Sequence, residues 1–157
     1  MQRFELEKRI WSEVDFDRMG WHDVKVHAMA FFPDAFEFAL DLDYHFRWVD
    51  PQKDGGYYRY WQAPATLVFE NVHDLRIDVD ASSGLDVDVI ERTPLGAPHN
   101  AEFIGRDLEW EWAIECQQGL IGMKSVGYKM HVRSEPRLQV RLSLEERGGI
   151  CFDRIKA

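Results

Sequence analysis

Apolar residues fall on alternate positions over long stretches of this chain, and the longest such stretch runs from Phe36 to Trp48. Phe36, Phe38, Leu40, Leu42, Tyr44, Phe46 and Trp48 alternate with Glu37, Ala39, Asp41, Asp43, His45 and Arg47. Successive side chains of an extended chain point to opposite faces, so the pattern predicts a strand with one apolar and one charged face. At ~3.3 Å per residue such a strand would run roughly 40 Å, which predicts strong curvature or a bulge. The apolar face reads as a core wall, and the charged face as solvent-facing.

The same period recurs on both sides of this run. His22 to Phe32 places Val24, Val26, Ala28, Ala30 and Phe32 on one face and Lys25, His27, Met29 and Phe31 on the other. Pro33-Asp34 is turn chemistry, so the two runs predict an antiparallel hairpin. After the Pro- and Gly-containing break at 50–56, alternation resumes from Tyr57 to Asn71, with Pro64 pointing to an edge position or a bulge. Leu75, Ile77 and Val79, then Leu85, Val87 and Val89, predict two strands joined by the turn at 81–84. The register that buries both sets together would set Asp80 opposite Asp86 and Asp78 opposite Asp88. Residues 93–100 read as a loop; Leu108, Trp110, Trp112 and Ile114 alternate with glutamates. Leu120 to Arg133 reads as a strand with an irregularity at Gly127. Leu138, Val140, Leu142 and Leu144 predict another strand closed by Gly148-Gly149, and Ile150 to Phe152 a short last one.

Helical period is found near the start, where Leu6, Ile10 and Val14 recur at four-residue spacing. This predicts a short amphipathic helix over Glu5 to Glu13. The expected fold is mainly β: a single antiparallel β-sandwich or partly closed barrel over residues 1–157, with a short N-terminal helix (5–13) and a sheet core over 22–152.

Composition narrows the function classes. Of the residues, 45% are hydrophobic and 30% charged, a globular balance, and the net charge is −9. A chain so acidic is not expected on nucleic acid or on an anionic membrane surface, and favours cations or a basic protein partner. Two cysteines without metal-type spacing fit a reduced, cytoplasmic setting. No signal-type apolar region is read at the start, and no stretch approaches the ~20 apolar residues of a membrane span. Nucleophile-elbow, zincin, phosphate-loop and dinucleotide-binding motifs are lacking, and Asp78-Val-Asp80-Ala-Ser82 fails as a calcium loop, with Ser83 where glycine is needed and Val89 where glutamate is needed. No catalytic residue, metal or cofactor is assigned.

Three groups remain as candidates. Asp78, Asp80, Asp86 and Asp88, brought together on one hairpin, would attract calcium or a cationic patch on a partner, or else form a solvated face relieved by Arg76 and Arg92. His27 and His45, with Asp41 or Asp43, would supply an acid–base or metal site, or else be ordinary sheet residues. The run Tyr57, Tyr58, Arg59, Tyr60, Trp61 divides into Tyr58 and Tyr60 on one face and Tyr57, Arg59 and Trp61 on the other; the exposed set would anchor a partner. His22-Asp23 is not a dyad if both residues lie in a strand, where they would point apart. Trp21 reads as a core plug.

The Trp21-His22-Asp23 entry to a strand, the run from Ala63 to Val72 (APATLVFENV) and Ser143 to Gly149 (SLEERGG) together resemble small β-rich bacterial proteins of the immunity-protein type. Such proteins neutralise a toxin by binding it, so the resemblance implies a non-catalytic binding role and no catalytic residue. The alternative is a small-molecule-binding barrel or an enzyme built on His27, His45, Asp41 and Asp43.

Overall fold

The computed structural model describes residues 3–156. Ten strands form: β1 (Ile10–Ser12), β2 (Lys25–Phe32), β3 (Glu37–Val49), β4 (Arg59–Glu70), β5 (His73–Val79), β6 (Leu85–Gly96), β7 (Glu109–Cys116), β8 (Gly119–Ser125), β9 (Gly127–Val132) and β10 (Arg137–Gln139). Two single-turn helices, α1 (Ala101–Ile104) and α2 (Leu144–Arg147), and two 3-10 segments, Glu13–Arg18 and Pro33–Ala35, complete the elements. The strands pair antiparallel in one open sheet, ordered β1–β9–β4–β3–β2–β6–β7–β8–β5, with β10 beside β4. The expected mainly-β, antiparallel class is the one observed.

The sheet has two halves, joined where Lys25 and Val26 of β2 pair with Asp86 and Leu85 of β6. Both halves contribute to one hydrophobic core. Trp112 of β7 meets Phe69 of β4 and Tyr128 of β9 edge-on, with ring centroids 5.4 and 5.6 Å apart. Trp21 plugs this core as expected, packed on Tyr44 and Tyr128.

The longest alternating run becomes β3, the partner of both β2 and β4. Its expected irregularity lies between His45 and Arg47. In β2, a bulge at His27 corrects the predicted faces. Val26 pairs with Leu42 but Ala28 with Asp41, so beyond the bulge Met29 and Phe31, not Ala28 and Ala30, share a face with Leu40 and Phe38. Pro64 sits in the interior strand β4, where the neighbour changes from β9, ending at Ala65, to β10, starting at Gln62. Its missing N–H therefore interrupts no ladder.

Three expectations are overturned. First, β5 and β6 do not pair: β5 lies beside β8, with Ile77 opposite Ile121, and β6 pairs with β2 and β7. Strands β5 to β8 form a Greek key, which buries Leu85 and Val87 of β6 but leaves Ile77 of β5 exposed. The four-aspartate cluster is thereby dispersed. Arg92, expected to relieve it, instead stacks over Phe16 and Trp110.

Second, 5–13 is not a helix. Val14, needed on the apolar stripe, is 84% exposed, and the buried residue is Trp11, whose strand pairs with β9 opposite Met130. Asp15 ends that strand by accepting from the Ser12 N–H and from Lys8 and Arg18. Third, the run Leu138 to Leu144 is a strand only to Gln139, and 150–152 is not a strand. Leu142 is buried, whereas Val140 and Leu144 are exposed. Ser143 and Glu146 form a reciprocal capping box at 3.1 Å each way, and Gly148 ends α2 in the left-handed region. What Gly148 closes is a helical turn.

Candidate functional site

On the charged face of β3, expected to meet solvent, the Asp41–Asp43 stretch is sealed, while Arg47 is exposed. Asp41 is 0% and Asp43 1% exposed, beneath the chain that follows β9. Arg147, at the end of α2, reaches inward with both its Nη atoms on Asp41, at 2.9 and 2.6 Å, and its Nε on Asp43 at 2.9 Å. Arg133 adds a bond to Asp41 at 2.8 Å and another to Thr66, whose hydroxyl donates to the Asp153 carbonyl. The Cys151 N–H donates to Asp41, and His27 Nε2 lies 2.7 Å from Asp43. Burial raises the Asp41 pKa, but the hydrogen bonds from Arg147, Arg133 and Cys151 outweigh it and hold the carboxyl below its usual range. Two carboxylates thus meet two guanidinium groups, the arrangement that makes buried charge tolerable.

Next to this sealed network lies an open cleft of about 290 Å³, lined by Asp23, Lys25, Asp43, His45, Tyr60, Gln62, Asp86, Gln117, Val140 and Arg141. His45 stacks on Tyr60 with ring centroids 4.1 Å apart. Burial lowers the His45 pKa to about 4, so the ring is neutral at pH 7, and its Nδ1 is buried without a hydrogen-bond partner. The Tyr60 hydroxyl donates to Asp23 at 3.4 Å. Burial and the Asp23 charge raise the Tyr60 pKa.

An aromatic shelf extends outward from the cleft. Trp48 meets Tyr60 at 5.2 Å and Tyr58 at 5.6 Å, both edge-on, and His22 stacks on Trp48 at 5.5 Å. His22 is held 3.0 Å from Asp88, the extra residue of a β6 bulge, and 3.6 Å from Asp23. The strand geometry that would send His22 and Asp23 apart does not apply. Asp23 has φ 65°, in the left-handed region, which turns the chain before β2 and brings both side chains to one surface.

The other candidates are scattered. Tyr57 is exposed in the loop before β4, Arg59 is half-buried and Trp61 is core, so the three do not form one set as the alternation predicts; β4, and with it the period of two, begins only at Arg59, while Tyr58 and Tyr60 both meet Trp48. Asp78 is exposed on β5, and Asp80 caps its own turn by accepting from the Ser82 N–H and hydroxyl. Asp86 is held by Gln118 at 3.0 Å. His27 is committed to Asp43 and His45 to Tyr60. Among the described residues no cluster of His, Cys, Asp and Glu has the geometry of a metal site, and no helix is long and apolar enough to cross a membrane.

Arg147 and Arg133 were not among the candidates, nor were Trp48 and Lys25. The Ser-x-x-Glu spacing at 143–146 is the signal that would have placed Arg147 at a helix end. Comparison with protein-family models, with curated proteins and with solved structures returns no match.

Proposed function

We propose that the protein is a non-catalytic binding module that takes a basic protein partner on the shelf formed by Trp48, Tyr58, His22, Asp23 and Asp88. The observation carrying this reading is the joining, through His22, of exposed aromatic rings to two carboxylates. Trp48 and Tyr58 are 41% and 46% exposed, and His22 links Trp48 to both aspartates. A partner's lysine or arginine would lie over the rings and pair with Asp88 or Asp23, combining cation–π attraction with a charge-assisted hydrogen bond. The net charge of −9 would steer such a partner in.

The catalytic alternative has less support. A general base must reach its substrate, and Asp41 and Asp43 are buried and hydrogen-bonded to arginine. The immunity-type resemblance also favours binding over turnover.

Affinity capture from the native lysate at low ionic strength tests the proposal. Basic proteins should be retained by the wild-type chain, released by high salt, and lost with Trp48→Ala/Tyr58→Ala. Equal recovery by the variant would refute the assignment of this surface.

A further inference from the structure

The cleft below the shelf has a feature that a protein partner does not explain. Lys25 lies in register between Asp43 on β3 and Asp86 on β6, so three charged side chains cross three adjacent strands on one face. A lysine flanked in this way would ordinarily bridge both carboxylates. Here the side chains diverge: Asp43 bonds to Arg147 and His27, Asp86 bonds to Gln118, and the Lys25 ammonium lies toward Gly84. Among the described residues, Lys25 forms no ion pair, and neither does Arg141, which also lines the cleft.

The charges around the cleft balance. Asp23, Asp43 and Asp86 are offset by Lys25, Arg141 and the Arg147 that neutralises Asp43 from behind. A purely anionic ligand would meet Asp23 and Asp86, and a purely cationic one would meet Lys25 and Arg141. The lining suits a molecule carrying both signs. Its volume, about 290 Å³, is at the small end of ligand sites, which span roughly 300–1,000 Å³. Two further observations mark the cleft as built. His45 is 8% exposed with its buried Nδ1 unpartnered, and Asp23 keeps its carboxylate at the rim by adopting a left-handed backbone that non-glycine residues rarely take.

We infer that the cleft binds a compact zwitterion of the α-amino-acid class, its carboxylate held by Lys25 and Arg141 and its ammonium by Asp23 and Asp86. Gln62 and Gln117 supply hydrogen bonds to the polar body, and Tyr60 packs against it. This binding needs no protein partner; Asp23 is common to cleft and shelf, whereas Trp48 and Tyr58 do not line the cleft.

Calorimetric titration of the full chain with glycine, L-serine and L-glutamine tests it, with acetate and ethylamine as single-charge probes. At least one amino acid should bind and raise the melting temperature, and acetate and ethylamine at the same concentration should not. Lys25→Met and Arg141→Met, at sites away from the core, should each weaken that binding tenfold or more, whereas Trp48→Ala should leave it intact. Absence of heat from all three amino acids would overturn the inference. So would acetate binding as well as the amino acids, which would mark an anion on Lys25 alone, or Lys25→Met binding like the wild type.

Discussion

Replacing Arg147 by methionine probes the network that closes the charged face of β3. Methionine keeps much of the length of the side chain and removes three hydrogen bonds to Asp41 and Asp43. Arg133 still reaches Asp41, and His27 still reaches Asp43, but two buried carboxylates would be left with one guanidinium. Breaking a buried ion pair by removing one partner costs about 3–5 kcal/mol. For a domain of this size, 1 kcal/mol shifts the melting temperature by about 2–4 °C, so a fall of roughly 6–20 °C is expected. Urea unfolding followed by both tryptophan fluorescence and far-ultraviolet circular dichroism measures the loss and checks that the transition stays two-state. A cycle with Asp41→Asn separates the causes. If the cost is the orphaned charge, the amide should recover at least about 1 kcal/mol in the Arg147→Met background while destabilising the wild type. A loss below about 1 kcal/mol, or strict additivity of the two substitutions, would refute the reasoning.

Acid titration gives two further expectations. Asp41 has a lowered pKa, so its contribution is complete above the ordinary carboxylate value of 3.8 and is lost as pH falls through the depressed value; Asp41→Asn should flatten the stability curve there. His45 is lowered to about 4 from 6.5, so the unfolded chain binds its proton first and stability falls between those values. The loss from pH 7 to pH 5 should be on the order of 2 kcal/mol, and denaturation of His45→Gln should show it reduced. Gly127→Ala would place a Cβ on the Glu13 carboxylate that Arg106 holds, at a backbone φ of 155°. It should destabilise by about 1–3 kcal/mol in thermal melts, and Glu13→Ala in the same chain should recover part of that.

The sequence made strands legible because half-sided burial imposes a period of two, and β3, β4 and β7 follow that period closely. It did not show what lies on the far side. Asp41 and Asp43 alternate as solvent-facing residues would, yet they are covered by an arginine 106 positions away from Asp41, a separation no local pattern encodes. The β5–β6 pairing failed for a related reason. Its turn and its matched faces are locally consistent, but β5 pairs with β8 in a Greek key, an arrangement that no local pattern encodes. His27 added one residue to β2 and reversed the faces beyond it, a shift that periodicity cannot register when alanine and methionine fall on either side. The division of the aromatic run at 57–61 is only half legible, since Tyr57 lies in the loop before β4, where the period of two does not hold. Trp48 was assigned to the core wall until the bulge beside it turned it outward.

The Arg147 latch also bears on how the chain reaches its structure. Its contacts with Asp41 span 106 residues and those with Asp43 span 104, among the most distant in the molecule. On the ribosome, β2, β3 and β4 can pair while the aspartate row is still wet, since the guanidinium that neutralises it has not yet been made. The layer over Asp41 and Asp43 can close only once Arg147 has been made, and contacts of such long reach carry a high loop-closure cost. A nascent or partly unfolded chain would show a strip of bare carboxylates along its longest strand, a surface that repels other copies of itself at the stage when the sheet's edges are still open.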